Sequence, residues 1–156
     1  MVEFLDKCFA FIESSTLEQT REEVSLSDHK SSREEKMKDV GMASTFNVML
    51  IHSNEAFYNV ALKKVQNFVR GRILETKIAG KITASLCRCL VKARPEKGLP
   101  AFLPASMDIV DELLQEEMNE EKLIDEELKF NLLIMSEVRR LLSRNFCIIT
   151  WYYIHM

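Results

Sequence analysis

An all-α fold, built from antiparallel helical hairpins stacked side by side, is what this sequence predicts, and three observations carry the prediction. Only four glycines and three prolines occur in 156 residues, too few for a turn-rich β-sandwich, a collagenous chain or a flexible linker. Hydrophobic residues make up 47% of the chain and charged ones 29%, and through most of the sequence the apolar ones recur at three- and four-residue steps. The periodic segments run to about 15–20 residues with short joints between them, the pattern of successive helical hairpins in an α-solenoid. The length suits one modest domain or a few repeat units.

The first element is a helix over residues 1–13, where Phe4, Leu5, Cys8, Phe9 and Ile12 share a face. The texture then changes: residues 14–41 hold no aromatic side chain, and Ser, Glu, Lys and Arg dominate. Such a stretch buries too little to offset its ordering entropy, so the reading is a flexible polar linker or insertion, with at most a turn of helix near Glu34–Lys38. Helical repeats are expected across 42–145. Ser44–His52 is a short apolar helix. Asn54 caps the next, whose stripe is Phe57, Val60, Ala61, Val65, Phe68 and Val69. Thr76 caps a third, with Ile78, Ala79, Ile82, Leu86, Cys89, Leu90 and Ala93 on its face, and it stops before Pro95 because the residue preceding a proline is pushed out of the helical region. Pro100 and Pro104 frame a turn and a new helix start, followed by Met107, Val110, Leu113 and Leu114. The last helix spans about Asp125 to Ser143 and is apolar on two sides, Leu128, Leu132, Met135, Val138 and Leu142 on one, Phe130, Leu133, Ile134 and Leu141 on the other. Residues 146–156 form an apolar tail unlike the amphipathic pattern before it. No motif recurs at a fixed ankyrin or tetratricopeptide spacing; the unit Thr76–Glu117 has HEAT-like length, and a compact helical bundle would satisfy the same periodicity.

Several function classes find no support. Glu3, Asp6 and Lys7 interrupt any signal-peptide core at the start, and the longest apolar run, Phe146–Ile154, is far short of the roughly 20 residues of a spanning helix. The cysteines Cys8, Cys87, Cys89 and Cys147 are scattered, which suits a reducing compartment. Cys87 and Cys89 resemble a metal pair, but two residues apart on a helix they point about 200° from each other and no finger spacing accompanies them. His29, His52 and His155 stand in no nucleophile motif, so a cysteine- or histidine-dependent hydrolase lacks its constellation. Gly80-Lys81 fails the phosphate-loop pattern, with Glu75 where a glycine is required and Ile82 where Ser or Thr is. Catalytic, cofactor-binding and metal-binding residues are therefore none, and a non-enzyme is expected. The net charge of −3 hides a segregation: a balance of +8 over Ala61–Lys97 and −9 over Asp108–Glu127. These are solvated helix faces or a bipolar scaffold surface. Exposed aromatics do not interleave the basic stretch, which argues against specific single-stranded nucleic-acid binding.

Three stretches carry a resemblance: Ser44–Val69, Glu75–Pro104 with its ETxxAGxxxxxLCR pattern and Pro-Glu turn, and Asp125–Arg140 with DEEL…NL…SEV. In this order and spacing they resemble the middle region of the proteasome activator complex subunit 4 family, very large single-chain HEAT-repeat activators. The resemblance implies a HEAT-like α-solenoid segment that docks on the core proteasome and supports degradation without ATP or ubiquitin, including that of acetylated histones. It also implies a nuclear and cytoplasmic location, roles in DNA repair and spermatogenesis, no cofactor and no membrane. The family's gate-opening tail has a penultimate tyrosine, whereas here the last residues are Trp151-Tyr152-Tyr153-Ile154-His155-Met156, so that role is not carried over. Acetyl-lysine- and inositol-phosphate-binding parts of the family find no matched motif, so no site residues follow from them. The short length and apolar ending fit an incomplete or truncated form. A HEAT or armadillo scaffold of another kind, such as a transport or phosphatase adaptor, would share the architecture.

Overall fold

The computed structural model describes residues 2–22, 33–70, 79–115 and 121–142, all but a few of them in helices: α1 (Val2–Glu22), α2 (Arg33–Ile51), α3 (Glu55–Val69), α4 (Ala79–Ala93), α5 (Pro95–Gln115) and α6 (Glu121–Leu142). The apolar period of α1 is satisfied as the sequence suggests: Leu5, Cys8 and Ile12 are buried. Asn54 caps α3 from an extended backbone (φ −73°, ψ 171°), its Oδ1 accepting the Phe57 N–H at 2.9 Å. The side chain thereby satisfies one of the donors that a helix start leaves unpaired.

Two layers emerge from the helix pairings. In one layer α2 packs on α4 and α4 on α6; in the other α1 packs on α3 and α3 on α5. Between the layers α4 touches α1, α3 and α5, and α5 touches α6. These principal pairs all lie within one hairpin or join hairpins adjacent in the chain, the arrangement of a stacked solenoid rather than a closed bundle. Because α4 is surrounded, it is buried nearly all round, from Ala79 and Gly80 through Leu86, Cys87, Cys89 and Leu90 to Val91. Only Lys81 and Lys92 are exposed on it. Stacked rings tie α1 to its neighbours: Phe9 lies on Phe68 with centroids 4.1 Å apart and planes 7° apart, and Phe4 faces Phe46 at 6.4 Å. Such pairs add about 0.5–1.5 kcal/mol beyond burial.

The structure departs from the sequence reading at three places. First, the linker expected over 14–41 is largely helical: α1 continues to Glu22 and α2 begins at Arg33, so only 23–32 lie outside the described residues. Glu18, Gln19, Arg21 and Glu22, like Glu34, Glu35, Lys36, Met37 and Lys38, are strong helix formers that lose little rotamer freedom in a helix. Intrinsic propensity favours the extension of both helices.

Second, Pro100 and Pro104 do not frame a turn; both sit inside α5, which starts at Pro95. Pro95 takes a position where no N–H is needed. The other two withdraw the N–H groups that would bond the carbonyls of Glu96 and Pro100, and both of those residues are exposed, so water can serve the freed carbonyls. Burial of Gly98, Leu99, Phe102 and Ser106 on the opposite side holds the helix together.

Third, some expected core residues are exposed: Val60 on α3, Met107 and Leu114 on α5, and Leu132 on α6. The seam of α6 is the single row Phe130, Ile134 and Val138, joined by Asn131, rather than two apolar sides. The Thr76 cap, Ile78, Leu141 and Leu142 fall outside the described side chains, as does the 146–156 tail.

Candidate functional site

The chemistry-bearing residues considered from sequence do not converge. Cys87 and Cys89 point to different sides of α4, both into protein: Cys87 is fully buried, and the Cys89 Sγ–H donates to the Ala43 carbonyl at 3.4 Å. Burial pushes the Cys8, Cys87 and Cys89 thiols up, so they stay protonated and unreactive at neutral pH. His52 is exposed at the end of α2; His29, His155 and Cys147 lie outside the described residues. Among the described residues, no group of three or more His, Cys, Asp or Glu side chains is placed to hold a metal ion.

What the structure does bring together is a joint built where α4 turns into α5 beside the start of α3. Tyr58, fully buried on α3, donates its hydroxyl to the Leu90 carbonyl at 3.0 Å, with the Arg94 carbonyl at 3.3 Å. Burial, reinforced by the Glu96 charge, pushes the Tyr58 phenol up, which keeps it a donor. The Arg94 guanidinium carbon lies 5.4 Å from the centre of the Tyr58 ring, in range of a cation–π contact. Arg94 Nη2 also reaches the Ser53 carbonyl at 3.5 Å. Lys97 pairs with Glu55 and donates to Asn59 Oδ1 at 3.3 Å. The hydrogen bond that Lys97 donates to Glu55, together with the Lys97 charge, holds the Glu55 carboxyl below its ordinary range.

Close approach of α5 to α4 makes this joint possible. A Cβ on Gly98 would lie 2.7 Å from Val91 Cα and 2.9 Å from its N, so only glycine fits. On the other side of α4, Arg88 pairs with the mostly buried Glu137 of α6 at 3.1 Å.

These contacts explain the sequence pattern. Ser53, Asn54, Glu55 and Tyr58 come from the first recognisable stretch, Arg88, Arg94, Pro95, Lys97 and Gly98 from the second, and Glu137 from the third. Each stretch supplies one side of a joint between helices, which is why their order and spacing are distinctive although no single piece is. Sequence reading missed Tyr58; its signal was present, since Tyr58, Ala61, Val65 and Phe68 repeat at three- and four-residue steps. The segregated charge is also partly consumed: Lys64 pairs with Asp6, Arg88 with Glu137 and Lys97 with Glu55. Lys63, Arg70, Lys81 and Lys92 remain exposed, as do Asp108, Asp111 and Glu112 on α5.

A two-layered stack of helical hairpins, joined by hydrogen bonds and ion pairs at its corners, defines a helical-repeat scaffold. Residues 1–140 match the family model described as Proteasome activator complex subunit 4, mid HEAT repeats region. The chain is 40% identical over 146 residues to Proteasome activator complex subunit 4 of Homo sapiens, covering 92% of this chain and 8% of the relative. It is 41% identical over 142 residues to the Bos taurus protein, and 39% identical over 141 residues to Proteasome activator complex subunit 4B of Danio rerio, each time over 90% of this chain. The chain belongs to the proteasome activator complex subunit 4 family, and it spans about 8% of the length of these relatives.

Proposed function

We propose that this chain is a non-catalytic HEAT-repeat segment that binds the core proteasome and supports degradation independent of ubiquitin and ATP, including that of acetylated histones, in the nucleus and cytoplasm. The observation that supports the reading most is the family match over residues 1–140, which takes in every described joint except the last two residues of α6. The site chemistry is in keeping with it. Buried, protonated thiols offer no nucleophile, whereas a scaffold fixed at its corners offers a rigid surface, and rigid surfaces lose less entropy on binding.

A fluorogenic-peptide assay tests this directly. Purified core proteasome is mixed with the chain in the absence of ATP and ubiquitin, and its peptidase rate is compared with that of the core alone. Alongside it, the chain is immobilised and tested for retention of the core. Retention, with or without a raised peptidase rate, supports the proposal; a core that is neither retained nor stimulated removes it. Peptide turnover by the chain alone would contradict the non-catalytic reading.

A further inference from the structure

The outer face of the α2–α4–α6 layer, turned away from α1, α3 and α5, carries two unlike rows side by side. On α2, Phe46 and Leu50 are buried, and Phe46 stacks on Phe4 of the other layer. The opposite side of α2 is apolar as well: Val40, Val48 and Ile51 are 64%, 55% and 59% exposed, with exposed Ser44 in the same row. No charged residue occurs from Val40 to Ile51. A helix apolar on both sides is ordinarily covered on both. β-branched residues are also poorer helix formers than the Ala, Lys or Glu that suit an exposed face. Their place there points to a partner rather than to helix stability.

On α4, apart from Ala93 at its end, the residues that are not buried are Lys81, Ser85, Arg88 and Lys92. Steps of four, three and four put them in one row. Cys89 reaches α2 on one flank of this row, and Arg88 pairs with Glu137 of α6 on the other, so the row faces outward between the two helices. Cys89 meets Ala43, and further along both helices Arg94 meets Ser53. The helices α2 and α4 therefore run parallel, and so do the apolar and basic rows. Glu137 and Glu126 of α6 are taken up by Arg88 and Lys129, while among the described residues no carboxylate pairs with Lys81 or Lys92. Packed helices lie about 8–10 Å apart, close to the width of one further helix, so a helix laid along the α2–α4 seam touches both rows over about three turns.

We propose that this seam is a docking site for an acidic amphipathic helix of a partner protein, whose apolar side seats on Val40, Val48 and Ile51 and whose carboxylates meet Lys81 and Lys92. Charge complementarity selects this occupant. Single-stranded nucleic acid calls for aromatic stacking platforms, and a membrane-surface helix for Trp, Phe or Leu opposite its bases; the two rows hold neither.

The test is fluorescence anisotropy with labelled peptides of about 18 residues, long enough for an isolated helix. Both carry leucines at i, i+4, i+7 and i+11; one has glutamates along the neighbouring row and the other lysines. At low salt the glutamate peptide should bind saturably and at least about tenfold more tightly than the lysine peptide, and added salt should narrow the gap. Ile51→Ser and the double variant Lys81→Glu/Lys92→Glu change exposed positions only, so circular dichroism should stay unchanged while each weakens the glutamate peptide about tenfold. Equal binding of the two peptides overturns the proposal, as do folded variants that bind the glutamate peptide like the unmodified chain. So does binding to phosphatidylserine vesicles or to a single-stranded oligonucleotide that Lys81→Glu/Lys92→Glu abolishes, which would make the face a membrane or nucleic-acid surface. Self-association abolished by Ile51→Ser would make a second copy the occupant and overturn it too.

Discussion

Replacing Tyr58 by phenylalanine is the sharpest probe of the α3–α4–α5 joint, because the structure specifies how small the effect must be. The substitution keeps the buried ring and its contact with Arg94 and deletes only the hydroxyl. Both carbonyls that face the hydroxyl are already served: Leu90 O accepts the Arg94 N–H at 3.1 Å, and Arg94 O accepts the Gly98 N–H at 2.9 Å and the Lys97 N–H at 3.2 Å. No acceptor is orphaned, so the cost is the net value of one hydrogen bond, about 1 kcal/mol, or a fall in Tm of roughly 2–4 °C for a chain of this size. Tyr58→Ala, by contrast, also empties a fully buried ring site and should cost about 3–5 kcal/mol. Urea unfolding followed by circular dichroism reads both. A cost of 3 kcal/mol or more for Tyr58→Phe, or equal costs for the two variants, would refute the reasoning.

Other consequences follow from the same contacts. Gly98→Ala should destabilise by about 1–3 kcal/mol despite alanine's better helix propensity, because the new Cβ meets Val91 backbone atoms; a raised Tm would show that α5 can retreat from α4. Pro100→Ala should raise Tm, by an amount corresponding to up to about 3 kcal/mol, as it restores an N–H to the Glu96 carbonyl on an exposed face. Glu55 has a lowered pKa, so its contribution is complete above the ordinary carboxylate value and is lost as pH falls through the lowered one. Carbon-13 NMR of Lys97→Met should find Glu55 titrating higher, and an unchanged titration would remove Lys97 as the cause. In a Cys147→Ser background, Cys8, Cys87 and Cys89 should resist alkylation at neutral pH until denaturant is added; rapid native-state labelling of Cys87 would contradict its complete burial.

Much of the fold was legible because apolar period and helix boundaries agree with packing. Leu5, Cys8 and Ile12 mark the buried face of α1, Asn54 caps α3, and Pro95 halts α4 as its restriction on the preceding residue requires. What was not legible depends on neighbours. Period alone cannot say that α4 sits between five other helices, so the stripe it predicts is narrower than the buried surface. Nor can it say that Met107, Leu114 and Leu132 face away from the core. The helical N-terminal part of the 14–41 stretch and the proline-bearing start of α5 show opposite effects: propensity favours the helix in the first, and in the second packing on α4 and α6 outweighs it. Ser106 and Asn131 give no signal because polar residues within an apolar stripe read as exposed, whereas neighbouring helices bury both.

The central claim, that this helical segment engages the core proteasome as its family name suggests, is tested most directly by co-sedimentation of the purified chain with purified core particle. The account predicts that the chain moves into the fast-sedimenting fraction with the core, and that Tyr58→Ala, which undoes a hairpin joint, weakens this. A chain that stays in the slow fraction while correctly folded, at every core concentration tried, would contradict it.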